Sequence, residues 1–326
     1  MAVALNETEL LALVDALADG AWHSGEDLAA RSGITRAALA KRIDKLRDWQ
    51  LALESRQGLG YRLAAPLERL DAAQLQAAAP GLRVAVQAVV DSTSSRLLEA
   101  DPAQDPQALF AELQTAGRGR RGRQWISPFG ANLYVSIAWS WPSWPRALTA
   151  LSLAVGAECA LALRELGVSS VRLKWPNDLL VDGRKLGGIL IEHRGEAGGG
   201  CRVVIGIGVN LHMDAAQADA VTQPWIDLDT AMARLGRSAP GRNALAAVLL
   251  RRLQQRLLTY PSTGFAAVAA DWADLDASRD AAVRIHSGEQ ITDGVARGVD
   301  GDGALLVDTA AGRIAVHAGE ISLRLA

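Results

Sequence analysis

Seven residues between a hydrophobic run ending at Gln114 and the segment Trp125-Ile-Ser-Pro-Phe-Gly read Gly117-Arg118-Gly119-Arg120-Arg121-Gly122-Arg123. Glycine lets backbone N–H groups approach a ligand closely, and the interleaved guanidinium groups are permanently charged forks suited to phosphate and carboxylate. The loop lacks the Gly-Lys-Ser/Thr ending of a P-loop, which excludes a Walker-type NTPase. The competing readings are a disordered arginine–glycine tether for nucleic acid and a solvated turn. Neither accounts for the abrupt return to a strand pattern with Trp125 at its entrance, where an indole can stack on adenine. A second segment runs Arg172-Leu-Lys174-Trp-Pro-Asn177-Asp178, then through Asp182-Gly183, a hairpin turn signal, to Lys185-Leu-Gly-Gly188. The hairpin sets Lys174 and Lys185 on adjacent strands near a carboxylate. Lysine occurs only at 41, 45, 174 and 185 in a chain whose other bases are arginine. Two compact point charges here point to a phosphate or a developing oxyanion, the plainer alternative being a surface salt bridge of Lys185 with Asp178 or Asp182.

Two weaker signals accompany these. Gly206-Ile-Gly208-Val-Asn210 resembles a dinucleotide fingerprint, but the third glycine is missing and 203–211 reads as one strand with no helix opening after it. Glycines inside a strand more often mark close approach of a ligand or a neighbouring chain. Asp91-Ser92-Thr93-Ser94-Ser95 follows a strand and can cap a helix or hydrogen-bond a small polar head group. The five histidines show no metal-ligand spacing, and no Ser/His/Asp arrangement is legible. Trp139, Trp141 and Trp144 read equally as core, ligand lid or dimer contact. Cys159 and Cys201 read as small core residues of a reduced cytosolic protein.

These segments need a scaffold, and 326 residues suggest about two domains, or three if one is small. With 49% hydrophobic and 21% charged residues and a net charge of −2, the chain is neither disordered nor a bulk polycation. No signal peptide, transit peptide or membrane span is legible, so a cytoplasmic location is expected. Residues 1–30 contain no Lys or Arg, whereas 31–62 carry eight. Apolar residues at helical spacing follow Thr8, an expected N-cap. Ser24-Gly-Glu-Asp27 resembles a capping box, and Thr35 caps a third helix with Leu39, Ile43 and Leu46 on one face. A strand, a glycine turn at Gly58 and Gly60, and a second strand complete a winged helix-turn-helix. Arg36, Ala37, Ala40, Lys41 and Asp44 occupy the face that would meet a major groove. A solvated basic face on a protein-interaction module is the alternative. Residues 66–80 read as a linker helix or tether. Strands are expected at 83–90, 108–114, 132–138, 170–175, 188–192 and 202–209, and helices at 147–166 and 244–260, the latter capped by Asn243. Closely spaced glycine turns from 287 to 312 imply a small β-barrel.

Taken together, GRGRRGR, KWPND and GRKLGGILIE closely resemble the biotin–protein ligases, and the amino-terminal winged helix resembles their bifunctional ligase and biotin-operon repressor branch. The match runs along nearly the whole chain. It implies an α+β fold: a winged helix-turn-helix (1–65), a linker (66–80), a central mixed-sheet catalytic domain related to class II aminoacyl-tRNA synthetases (81–274) and an SH3-like C-terminal barrel (275–326). It implies that biotin and Mg-ATP are substrates, with no tightly bound metal. Biotin's carboxylate attacks the α-phosphate, and a lysine of biotin carboxyl carrier protein, a subunit of acetyl-CoA carboxylase, then attacks the biotinyl-adenylate. Carried onto this sequence, Ser92, Thr93, Gln114, Gly117, Gly188 and Gly206 would hold biotin, with Arg118 and Lys185. Arg118, Arg120, Arg123, Trp125, Lys174, Asn177, Asn210 and Arg324 would contact ATP. Lys185, Arg118 and Asp178 are the expected catalytic residues, Arg118 holding the intermediate and Asp178 orienting the acceptor lysine. Thr35, Arg36, Ala37, Ala40 and Lys41 would meet operator DNA, bound by a homodimer that the adenylate promotes. Ser94 stands where the bifunctional repressor carries Asn, and the Trp139–Trp144 loop also departs from it. A sensor repressor without ligase activity, a ligase whose winged helix reads no operator, and a lipoate- or octanoate-transferring relative are the alternatives.

Overall fold

The computed structural model describes residues 6–195, 199–213, 221–287, 290–318 and 321–325. Three helices open it: α1 (Glu7–Leu17), α2 (Gly25–Arg31) and α3 (Arg36–Asp48), followed by the antiparallel wing of β1 (Leu53–Arg56) and β2 (Gly60–Leu63). Leu13, Val14, Leu28, Leu39, Ile43 and Leu46 form their shared core. Ser24 caps α2 by accepting the Glu26 and Asp27 N–H groups, and Thr35 caps α3 by accepting that of Ala38. The first cap differs from expectation. Asn6, not Thr8, occupies it, and its side chain accepts the Thr8 N–H.

The centre is built from α4 (Ala72–Ala78), β3 (Arg83–Val90), α5 (Thr93–Glu99), β4 (Gln107–Gln114), β5 (Asn132–Trp141), α6 (Leu151–Glu165), β6 (Arg172–Lys174), β7 (Asp178–Val181), β8 (Arg184–Arg194), β9 (Cys201–Asn210), α7 (Leu228–Ala233), α8 (Arg242–Thr263) and α9 (Ala269–Leu275). Its seven-stranded sheet runs β3-β4-β5-β9-β8-β7-β6, parallel only between β3 and β4. Strand periodicity divides the two faces. On β9, Val203, Ile205, Ile207 and Val209 pack into the main core with α6 and α8, while Val204 joins Leu97 of α5 on the opposite side. Gly206, Gly208 and Asn210 share the Val204 side. Asp182 and Gly183, both at positive φ, form the two-residue turn between β7 and β8.

The stretch 66–80 is pinned rather than loose. Leu75 of α4 is buried in the main core, and Arg242, fully buried at the start of α8, donates to the Glu68 carbonyl, the Glu112 carboxylate (2.7 Å) and the Asn132 carbonyl. Asn243 is therefore not the cap of α8, a position held by Gly241. Its amide donates to Glu68 and to the Arg69 carbonyl and accepts the Asp71 N–H. Trp49, at the end of α3, stacks on Phe129 at 5.0 Å, so the apolar core of the first module continues onto the central sheet.

The tail comprises β10 (Ala282–Ser287), β11 (Gln290–Val299), β12 (Leu305–Thr309), β13 (Gly312–Val316) and β14 (Ile321–Leu325). They form an antiparallel sheet in the order β13-β12-β11-β10-β14. Contrary to the expectation of a closed barrel, the two edge strands are not paired with each other among the described residues. Among the same residues no helix is long and apolar enough to cross a membrane.

Candidate functional site

A cavity of about 740 Å³ opens on the α5 side of the central sheet. Its floor exists because β8 and β9 carry glycine where they face it. Gly188 pairs with Gly208, and Gly206 lies two residues on. A Cβ at Gly206 would stand 2.5 Å from the Ser94 hydroxyl, and one at Gly208 would overlap the Trp125 indole. These glycines mark close approach, as the strand reading suggests, with no dinucleotide turn.

One end of the cavity is polar and neutral. Ser92 caps α5, and Thr93 and Ser94 in its first turn are buried. The Gln114 side-chain oxygen accepts from the Thr93 backbone (2.9 Å) and hydroxyl (3.1 Å). The other end is charged. Asp178 lies between Lys185 (2.7 Å) and Lys174 (3.1 Å), so in place of the surface salt bridge offered as the plainer alternative there is a nearly buried three-member clamp. Burial alone would raise the Asp178 pKa, but the two ammonium groups outweigh it and hold the carboxyl below its ordinary value. A β-bulge between Leu179 and Leu180 in the β7–β8 pairing re-aims Lys185, whose backbone also pairs with the Pro224–Ile226 segment.

Residues of the Gly117–Arg123 loop line the cavity. The loop is tied at its base by Trp125 N–H donating to the Gly117 carbonyl. Arg118 donates to Glu192 (2.7 Å), and Arg120 donates to Asn177 (3.1 Å). Burial lowers the Arg120 pKa, opposed by the charge of Asp178. The Lys185 ammonium lies 5.6 Å from the centre of the Trp125 ring.

The cavity brings together Ser92, Thr93 and Gln114 with Arg118, Arg120, Arg123 and Trp125, and with Lys174, Asn177, Asp178, Lys185, Gly188, Gly206 and Asn210. Gly117 sits just behind, at the loop base. The Arg324 side chain lies outside the described residues; its strand β14 pairs with β10. Thr35, Arg36, Ala37 and Lys41 are exposed on α3, far in sequence from the cavity, and Ala40 is half-buried. Sequence reasoning missed Trp225, which lines the cavity and bridges to Lys185, and Met213. Gln223-Pro-Trp-Ile226 carries no periodic signal that would single it out. Trp139 and Trp141 are core, and Trp144 packs edge-on against His193. Both cysteines are buried and unpaired.

Family models match three segments: the biotin/lipoate A/B protein ligase family over residues 86–210, the biotin protein ligase C-terminal domain over 281–324, and an HTH domain over 10–62. The bifunctional ligase/repressor BirA of Salmonella typhimurium is 42% identical over 97% of this chain and 98% of its own length. That of Escherichia coli is 42% identical over 98% and 99%. The biotin protein ligase of Aquifex aeolicus, solved in complex with biotin and ATP, superposes with a TM-score of 0.63 at 25% identity, covering 75% of this chain and 99% of that one. With the order of its modules and identity of this extent along almost its whole length, the chain belongs to the biotin–protein ligase family, in company with the bifunctional ligase/repressors.

Proposed function

We propose that this chain is an ATP-dependent biotin–[acetyl-CoA-carboxylase] ligase that also represses transcription through its winged helix. The observation that carries the ligase reading is a single glycine-floored cavity with a buried hydroxyl–amide cluster at one end and a Lys–Asp–Lys clamp under an arginine loop at the other. That polarity suits a ligand with a polar neutral head, an apolar middle and a carboxylate that must meet a triphosphate.

In the first half-reaction a biotin carboxylate oxygen forms a bond to the α-phosphorus of Mg-ATP while the bond to pyrophosphate breaks. Negative charge accumulates on the equatorial oxygens, where Lys185, Arg118, Arg120 and Arg123 are the donors. Ser92, Thr93, Gln114 and the backbone at Gly117, Gly188 and Gly206 hold the biotin end. Trp125, Lys174, Asn177, Asn210 and Arg324 serve the nucleotide, and Trp225 joins them. In the second, the ε-amine of a carrier-protein lysine attacks the acyl carbon and AMP leaves. A carboxyl held below its ordinary pKa is a poor proton acceptor near neutrality, so Asp178 orients the incoming lysine by charge. Closure of the Gly–Arg loop excludes water from the anhydride.

For the repressor half, Thr35, Arg36, Ala37, Ala40 and Lys41 contact operator DNA. Biotinyl-adenylate favours the homodimer, and a dimer grips a two-fold site. The partners are then biotin carboxyl carrier protein and the biotin operator, in the cytoplasm, with 1–65, 66–80, 81–274 and 275–326 as the functional units and the C-terminal sheet as an SH3-like fold. ATP–pyrophosphate exchange dependent on biotin, with lipoate and octanoate as controls, tests the chemistry. Exchange with biotin alone supports it; exchange with another acid, or none with biotin, overturns it. A gel shift that strengthens with biotin plus ATP and weakens with unmodified carrier tests the repressor; one insensitive to both removes it.

A further inference from the structure

Behind the neutral end of the cavity stand two buried serines that sequence reading passed over, Ser136 on β5 and Ser127 after the Gly–Arg loop. The Ser136 hydroxyl is 2.8 Å from that of Thr93 and 2.9 Å from that of Ser94. Ser127 accepts from the Gln114 amide nitrogen (3.0 Å) and donates to the Trp125 carbonyl (2.9 Å).

The direction of every bond in this chain is fixed, because each hydroxyl has one proton. The Trp125 carbonyl can only accept, so Ser127 spends its proton there and must itself accept from the Gln114 nitrogen. The Thr93 backbone N–H can only donate, so the Gln114 oxygen faces it and also takes the Thr93 hydroxyl proton. Thr93 must then accept from Ser136, and Ser136 from Ser94. With its only proton committed inward, Ser94 presents lone pairs alone, pressed against the bare Cα of Gly206 in the cavity floor.

We infer that Ser136 and Ser127 are positioning residues that set the hydrogen-bond polarity of the head-group end, so that Ser94 accepts an N–H and rejects acids that have none to offer. This rests on the ligase reading above and deepens it. The urea of biotin brings N–H donors; the dithiolane of lipoate and the alkyl chain of octanoate bring none. A site committed to one polarity discriminates strongly against a ligand that leaves its groups unpaired. Ser127 also joins the head-group end to the base of the Gly–Arg loop, since its acceptor is the carbonyl of Trp125.

The test is pyrophosphate exchange by the full-length protein with biotin and with biotin methylated on a urea nitrogen. Ser136→Ala frees the Ser94 proton to turn into the cavity, and Ser127→Ala releases the Gln114 amide. Each is expected to raise KM for biotin about tenfold while KM for ATP stays within about twofold. In Ser136→Ala the penalty against the methylated analogue should also shrink. Unchanged biotin KM in both variants overturns the inference, as does a rise in both KM values together with a fall in kcat, which marks general damage. If Ser136→Ala does not fold, Ser127→Ala decides alone. A wild-type protein that turns over lipoate or octanoate but not biotin refutes the ligase reading itself and takes the inference with it, and the wild-type data alone distinguish that case.

Discussion

Asp178→Asn replaces the one anion of the charged clamp with a neutral amide of the same shape. The carboxylate lies 2.7 Å from one ammonium and 3.1 Å from the other. At an effective dielectric of ~20 the contacts are worth about 5–6 kcal/mol each before desolvation, most of which burial offsets. Removing the shared partner leaves two mostly buried ammonium groups facing each other. Breaking a buried pair costs about 3–5 kcal/mol, and partial exposure of the lysines places this site near the lower figure. In a cooperative unit of this size that lowers Tm by about 6–12 °C. The sign of the pH dependence follows from the depressed carboxyl. Its contribution is fully present above the ordinary value of 3.8 and fades as pH falls through the lower folded-state pKa. Calorimetry of both proteins between pH 8 and pH 5 should show a constant gap that narrows only in stronger acid. Pyrophosphate or ATP, bringing anionic charge to the bare lysines, should stabilise the variant more than the wild type. Equal Tm values at pH 7, or a gap that closes already between pH 8 and pH 5, would show that the clamp is not formed in solution.

Other outcomes follow from the same geometry. Arg118→Gly should release biotinyl-adenylate faster in single-turnover measurements; a wild-type release rate removes Arg118 as the residue that retains it. Glu112→Ala leaves the Arg242 guanidinium buried without its carboxylate and should cost about 3–5 kcal/mol in urea unfolding, most of it recovered by the paired replacement Glu112→Leu with Arg242→Met. Failure of the paired replacement to recover stability argues against a desolvated ion pair as the source. Arg36→Ala should weaken operator binding across sequences and make the salt dependence shallower by about one unit, whereas an unchanged slope places Arg36 away from phosphate.

What the sequence made legible were features whose cause is local. Ser24 and Thr35 cap their helices because a short hydroxyl side chain needs only the next three residues to find an N–H. Asp182-Gly183 turns because both positions tolerate positive φ. The glycines of β9 were legible as close-approach points, though not what approached, since Ser94 and Trp125 arrive from distant segments. Asn243 was misread for the same reason. A capping residue before an apolar run is a good local signal, but Glu68, far away in sequence, competes for its amide. Trp225 and Ser136 were missed because their roles come from pairing between segments distant in sequence, Lys185 beside Trp225 and Gly206 opposite Ser136, which no short window contains. The charged clamp was half-read: the lysines were singled out, but a burial that turns a surface bridge into a poised site depends on the whole sheet.

The stack of Trp49 on Phe129 bears on any attempt to make a smaller enzyme. Leu113 and Ala88 belong to the central sheet and Phe129 to the turn that leads into β5, yet all three are buried in the core of the first module, and Leu67 packs with them. Cutting the chain at residue 65 would strip the cover from that group and leave an apolar scar beside Glu112, whose neighbour Arg242 anchors the start of α8. A trimmed ligase would then be soluble only after Phe129 and Leu113 were repainted with polar side chains, and swapping in a foreign DNA-reading module would require one that offers an aromatic at the end of its recognition helix.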